Sequence, residues 1–171
     1  MRPTFATGYS GLNFAQRILF LLLLSLVSAA SALAASANQL PPLTLQSKAR
    51  IELGQMLFFD RRLSGDGTMS CAVCHIPDQA FADGRDISGS YPTNKHWRNT
   101  PSLLNAAYLQ IFFWDGRSDS LSHQARGPLE SPFEMNSNLA FINAKLAEIP
   151  EYQDLFQAAF AAEVKPELIL E

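Results

Sequence analysis

The chain has 171 residues, of which 47% are hydrophobic, and carries 13 basic and 16 acidic side chains for a formal net charge of −3 at pH 7. This length allows one domain with a modest core and is too short for two full domains. The acidic balance argues against nucleic acid as a partner.

The first 34 residues have the pattern of a secretory signal peptide. Arg2 and Arg17 precede an apolar run over residues 18–24, and small residues follow it. The run is shorter than the roughly 20 residues of a spanning helix, which disfavours a membrane anchor. Cleavage is expected after Ala34, at the A-x-A pattern of residues 32–34, and residues 35–37 offer a second site. We therefore predict export to the periplasm, removal of residues 1–34, and no membrane span afterwards.

The next segments predict a linker followed by one helical domain. Residues 35–43 contain Pro41 and Pro42 and indicate an extended linker. Thr44 is expected to cap a helix through residue 58, because apolar residues recur every four positions at Leu45, Ala49, Leu53 and Leu57. The predicted domain covers residues 44–162.

The remaining elements are also helical or irregular. Residues 60–98 are rich in glycine and polar residues and predict a loop with short helical turns. Further helices are expected from Thr100 to about residue 107, from Asp119 to about residue 127, over 139–148 and over 151–162. No segment alternates with period two, so the predicted class is mainly α. Residues 163–171, with Pro166 as a first helical position, either dock on the domain or begin a truncated inter-domain helix.

The residues Cys71, Cys74 and His75 form the pattern C-x-x-C-H, the attachment signature of a c-type haem. Two thiols at this spacing reach the two vinyl groups of one porphyrin, and the adjacent imidazole is then the proximal iron ligand. A redox dithiol and half of a zinc site are the competing interpretations. A zinc site needs about four ligands, yet the chain has two cysteines, and His96 and His123 show no such pairing.

From Leu53 onward the sequence resembles the N-terminal haem domain of the bacterial dihaem cytochrome c peroxidase and MauG-like family. The resemblance rests on linked motifs in a common order: Leu57-Phe58-Phe59-Asp60, the haem motif, Arg98-Asn99-Thr100-Pro101-Ser102, Phe113-Trp114-Asp115-Gly116-Arg117, and the stretch from Gln124 to Met135. It implies a cytochrome c-like fold, with short helices and long loops around one covalently bound haem c.

The resemblance also implies a function and a set of site residues. The family reduces hydrogen peroxide to water with electrons from a small donor protein, a cytochrome c or a cupredoxin. Glu134 matches the family's acid–base carboxylate and Gln124 its distal amide. Trp114 matches a residue on the electron route between two haems, although as a bare residue it is expected in the core. Asn99 matches one ligand of a calcium ion, and the homodimer is left open.

Two departures from the family are expected to matter. Tyr91 occupies the position of a histidine that caps the resting iron, and His96 lies nearby at a different offset. The family also carries a second C-x-x-C-H motif in a C-terminal domain, which this chain lacks. The chain therefore looks truncated before the second haem domain, and the activity of one haem alone is open.

Two rival functions remain. A single-haem electron carrier would use Met135 as its sixth iron ligand, because Met135 lies at a typical distance downstream of the motif. A MauG-like enzyme would instead oxidise a protein partner, and it shares the same N-terminal half.

Overall fold

The computed structural model describes residues 13–23, 25, 42–43, 45–89 and 98–171. The chain divides into two units, residues 1–43 and 44–171. In the first unit, residues 14–23 are helical, and apolar side chains such as Phe14 and Leu19 are exposed. Within the described ranges, no helix is both long and apolar enough to cross a membrane. The predicted cleavage sites at 32–34 and 35–37 lie outside the described residues.

The second unit is built from short helices joined by irregular segments. Its α-helices are α1 (Lys48–Phe59), α2 (Cys71–Cys74), α3 (Leu121–Glu130), α4 (Leu139–Ala147) and α5 (Pro150–Phe160). Short 3₁₀ segments lie at Arg61–Leu63, Pro77–Gln79, Ala106–Tyr108 and Pro166–Leu170. In the described part of the chain the only strand-like pairing consists of two isolated bridges, Ile76 with Ala82 and Phe112 with Ser118. The predicted mainly α class is confirmed.

Helix α1 begins later than predicted. Ser47 is its N-cap, and the Ser47 hydroxyl accepts a hydrogen bond from the Arg50 amide at 3.2 Å. Thr44, the predicted cap, lies outside the described residues. Leu45 precedes the helix and is 90% exposed, whereas Leu53 is 2% exposed and is the helix's buried residue. The apolar spacing therefore marked the buried face of the helix but not its start.

Local capping signals located the later helices well. Asn138 caps α4 by accepting from the Phe141 amide at 2.9 Å, and Pro150 is the first residue of α5. The cap of α3 is Ser120, one residue after the predicted Asp119, and α3 continues to Glu130. Helix α3 contains Pro128, which has no amide hydrogen to offer the carbonyl four residues earlier.

The predicted helix from Thr100 is wrong, because residues 100–103 are irregular and helical backbone appears only at Ala106–Tyr108. The Thr100 hydroxyl is buried in a hydrogen bond with the Ser88 hydroxyl. Ser102 donates to the carbonyl of Ala80 at 2.6 Å. The hydroxyls of Thr100 and Ser102 are thus hydrogen-bonded to residues distant in sequence.

The core lies between α1, α4 and α5. Its buried members are Leu53, Leu63, Leu129, Met135, Leu139, Ile142, Leu146, Tyr152, Phe156 and Val164. Tyr152 is fully buried, and its hydroxyl donates to Asp60 at 2.6 Å. Arg62 also donates to both Asp60 oxygens, at 2.9 and 2.8 Å. This cluster joins the end of α1 to α5.

The C-terminal 3₁₀ segment packs on the domain. Leu168, Ile169 and Leu170 are partly buried against the core cluster. The segment contacts α3 and α4. The segment therefore docks on the domain, and the alternative that it begins a truncated inter-domain helix stays a prediction.

Candidate haem site

Helix α2 holds both cysteines of the C-x-x-C-H motif. It is a single turn, closed by a hydrogen bond from the His75 amide to the Cys71 carbonyl at 2.9 Å. Residues three apart on a helix share a face, so Cys71 and Cys74 present their sulfurs on the same side. Both thiols are free. The turn therefore holds two free thiols on one side, with the imidazole directly after them.

The hydrogen bonding of His75 fixes its tautomer. Its Nδ1 atom lies 2.9 Å from the carbonyl oxygen of Phe81. A carbonyl has no hydrogen to give, so Nδ1 carries the proton and donates it. The lone pair is then on Nε2, the atom available to a metal.

A tight loop places the Phe81 carbonyl beside His75. The amide of Ile76 donates to the Ala82 carbonyl at 3.1 Å, and the Phe81 amide donates to the Ile76 carbonyl at 2.9 Å. Ala80 and Phe81 both have a φ of 56°, a left-handed conformation that costs energy in residues other than glycine. The Phe81 ring packs edge-on against Phe58 of α1, at 6.0 Å between centroids. Packing and pairing together hold the strained carbonyl in position.

The electrostatic environment keeps the two thiols neutral. Burial raises the pKa of Cys71 to about 11. Burial also raises the pKa of Cys74, and the negative charges of Asp83 and Glu134 add to the rise while Arg85 opposes it. Glu134 therefore lies close enough to Cys74 for its charge to act on the thiol.

A cavity of about 190 Å³ opens beside Cys74. Met69, Val73 and Ile76 give it an apolar wall, and Asp83 and Arg85 add charged groups. A larger surface depression of about 570 Å³ lies between α1 and α5, and its lining contains none of the motif residues. Within the described ranges, no group of three or more His, Cys, Asp and Glu side chains is arranged to hold a metal ion.

These residues fit a c-type haem. Two free thiols on one helical face have the spacing for two thioether bonds, the imidazole offers Nε2, and the cavity beside Cys74 supplies apolar surface. Residues 69–85 form this site as a unit, because the loop at 76–82 orients His75.

Glu134 sits in a tightly bonded turn after α3. Its amide donates to the Ser131 carbonyl at 3.1 Å, and the next amide, of Met135, donates to the Pro128 carbonyl at 3.1 Å. The Met135 carbonyl accepts from Gly65 at 2.9 Å. The Met135 side chain is 5% exposed within the hydrophobic core and does not line the cavity beside Cys74. This position disfavours Met135 as an iron ligand.

Gln124 is half-buried on α3, the helix that ends just before the Glu134 turn. Three residues later, Gly127 closely approaches the ring of Phe113, where an added methyl group would lie 2.8 Å from a ring carbon. Phe113 has a φ of 63°, and the Arg117 guanidinium lies 3.5 Å from its ring centroid. The Phe113 ring thus links α3 to the loop that carries Trp114.

The expectation that Trp114 is a core residue is wrong. Its side chain is 64% exposed, and the neighbouring Phe112, at 8% exposure, is the buried aromatic residue. The indole nitrogen of Trp114 donates to the Asn99 carbonyl at 2.9 Å. The loop closes because the Phe112 amide donates to the Ser118 carbonyl at 2.8 Å, which leaves the indole ring outside.

Three further residues weighed from the sequence are Asn99, Tyr91 and His96. Asn99 is exposed, and its side-chain nitrogen donates to the Arg85 carbonyl. Tyr91 and His96 lie outside the described residues. The hydrogen bond to Arg85 gives no evidence for calcium, and calcium binding at Asn99 stays a prediction.

The sequence reasoning missed Phe81, Asp83 and Arg85. Phe81 acts through a backbone oxygen, for which its side chain gives no signal. Asp83 and Arg85 flank Gly84, whose φ is 65°, and such an Asp-Gly pair is a recognisable turn signal after the haem motif. That signal predicts the turn but not that both charges border a cavity.

Comparisons with known proteins identify relatives for this region. The family described as di-haem cytochrome c peroxidase matches residues 48–171. The cytochrome-c peroxidase IdrP1 of Pseudomonas sp. (strain SCT) is 40% identical over 156 residues, covering 85% of this chain and 41% of that protein. The methylamine utilization protein MauG of Methylophilus methylotrophus is 44% identical over 119 residues, covering 70% of this chain and 35% of that protein.

A solved structure shows the same fold. The crystal structure of a MauG-like protein associated with microbial copper homeostasis matches with a TM-score of 0.69 and 32% identity. The match covers 78% of this chain and 42% of that structure's chain. The chain thus spans less than half the length of each relative.

Proposed function

Because the chain belongs to the di-haem cytochrome c peroxidase family, we propose that it binds one haem c through Cys71 and Cys74, with His75 as proximal ligand, and reduces hydrogen peroxide to water. The observation that carries the proposal is the bond from His75 Nδ1 to the Phe81 carbonyl, which leaves Nε2 for the iron. The haem, when bound, supplies the redox-active iron at which peroxide is reduced.

Proton handling is assigned to Glu134. Cleavage of an O–O bond is helped by a base that takes a proton from one oxygen and returns it to the departing oxygen. Backbone hydrogen bonds around Ser131 and Met135 hold the Glu134 backbone in a turn, and the Glu134 charge contributes to the electrostatic environment of Cys74. Gln124 can donate to and accept from the peroxide oxygens without changing its own charge.

Electron supply is assigned to Trp114. Reduction of one peroxide to two waters consumes two protons and two electrons, so one haem needs an external donor. The exposed indole, anchored by its bond to the Asn99 carbonyl, offers a contact for that donor. We propose a small cytochrome c or cupredoxin as the donor, in the periplasm after export.

A second candidate function is the oxidation of a protein partner, as in MauG-like enzymes. It is supported by the exposure of Trp114, because an indole at the surface can pass oxidising equivalents outward as well as electrons inward. An electron carrier is less well supported, because Met135 is buried in the core cluster. Calcium binding at Asn99 and a homodimer stay predictions.

The test is the variant Glu134→Gln in the haem-loaded protein. We expect unchanged haem content and a loss of about 100-fold or more in the rate of the ferric protein's reaction with peroxide. Glu163→Gln, a change at an exposed glutamate, is the matched control and should react like wild type. Equal rates for all three proteins would remove Glu134 from the reaction.

A further inference from the structure

Two opposite charges border the cavity beside Cys74. Asp83 is 8% exposed and Arg85 is exposed, and both line this cavity together with Cys74. The Asp83 carboxylate accepts a hydrogen bond from the Arg85 amide at 3.2 Å. The segment after the loop at 76–82 therefore holds a buried carboxylate and an exposed guanidinium next to a haem attachment residue.

Cys74, Asp83 and Arg85 line the same cavity. A porphyrin joined to the Cys74 sulfur would therefore lie within reach of both charged side chains. A buried charge such as that of Asp83 is weakly screened by solvent ions.

We propose that Asp83 and Arg85 set the reduction potential of the haem bound at Cys74, with Asp83 lowering it and Arg85 raising it. The ferric state carries one more positive charge than the ferrous state. A nearby carboxylate therefore stabilises the ferric state, and a nearby guanidinium stabilises the ferrous state. This role goes beyond peroxide reduction and rests only on haem attachment at Cys74.

Burial gives the two residues different sensitivities to salt. Asp83 is shielded from solvent ions by the protein, so its effect persists at high ionic strength. Arg85 is exposed, so its effect weakens as salt is added. In high salt the electrostatic potential at the haem edge should therefore become more negative. The reduction potential of the haem should then be lower.

The experiment is an optical redox titration of the haem-loaded protein without peroxide. Asp83→Asn should raise the midpoint potential, so that the ferrous-to-ferric ratio at a fixed ambient potential increases about tenfold. Arg85→Gln should shift the ratio in the opposite direction at low salt. Asp78→Asn, on the exposed part of the same loop, is the control and should leave the midpoint unchanged.

The opposite signs make the proposal falsifiable. Shifts in the same direction, or shifts no larger than that of Asp78→Asn, would overturn it. If Asp83→Asn fails to fold, the sign of the Arg85→Gln shift and its loss in high salt decide the question. Unshifted midpoints in Asp83→Asn and Arg85→Gln, together with lost peroxide reactivity in Glu134→Gln, would overturn this proposal alone. Absence of covalent haem in wild type would overturn both this proposal and the proposed function.

Discussion

The ring of Phe113 occupies the space that a side chain at position 127 would fill, and only glycine at that position leaves room for it. This contact joins the loop carrying Trp114 to the helix carrying Gln124. Phe113 is also held by Arg117, whose guanidinium lies over the Phe113 ring at 3.5 Å from its centroid.

Gly127→Ala should therefore destabilise the domain by about 1–3 kcal/mol, because the added methyl group overlaps the Phe113 ring. Phe113→Ala in the same background should remove most of that overlap, so the double variant should be more stable than the two separate losses imply. Urea unfolding of the four proteins measures this coupling. Gly54→Ala is the control, because a methyl group there meets nothing within 4 Å and should be neutral or stabilising by up to about 1 kcal/mol.

Tyr152→Phe should lower the free energy of unfolding by about 1.5–3 kcal/mol at pH 7, since it removes a 2.6 Å hydrogen bond to a charged group. Equilibrium unfolding in urea is the measurement. Tyr108→Phe, at a half-buried tyrosine outside this cluster, should change stability by less than about 0.5 kcal/mol. Equal losses in both variants would show that the bond to Asp60 contributes nothing specific.

Stability should also fall in acid because of Asp60. Burial alone would raise the pKa of Asp60, but hydrogen bonds from Arg62 and Tyr152 outweigh it and hold the pKa below its ordinary value. A carboxyl with a depressed folded pKa contributes stability that is present above about pH 4 and is lost as pH falls through the folded value. Asp60→Asn should therefore flatten the decline of unfolding free energy below pH 4, and an identical decline in wild type and variant would contradict the assignment.

Replacing both Cys71 and Cys74 with alanine should abolish covalent haem. In wild type, the haem should stay with the protein in acidified organic solvent, because two thioether bonds hold it. In the double variant, any bound haem should pass into the solvent. Intact-protein mass spectrometry after extraction gives the result, and a variant that kept the added mass of haem would refute attachment at these residues.

Trp114→Phe should slow reduction of the haem by a donor protein while leaving the reaction with peroxide unchanged. The indole is 64% exposed and anchored through its ring nitrogen, which phenylalanine lacks. Stopped-flow mixing of each protein with reduced cytochrome c separates the two steps. Phe133→Leu, at another exposed aromatic residue, is the control, and equal slowing in both variants would argue against a special route through Trp114.

Most helices could be predicted from local signals. Asn138 and Pro150, for example, mark the starts of their helices through groups close to them in sequence. The predicted helix at Thr100 failed because Ser88 lies far away in sequence and takes the hydroxyl that would have capped it. The apolar area of Trp114 predicted a core position. That area does not reveal the φ of 63° at Phe113, which turns the loop. The haem motif was plain in the sequence, but the Phe81 carbonyl that orients His75 is a backbone atom and becomes visible only in the fold.

The first measurement is the optical and EPR spectrum of the ferric, haem-loaded protein before and after one equivalent of hydrogen peroxide. We expect a high-spin ferric signal from an iron with His75 as its single protein ligand. This signal should disappear on addition of peroxide. A low-spin spectrum with histidine and methionine ligands that does not respond to peroxide would contradict the proposed peroxidase function and would indicate an electron carrier.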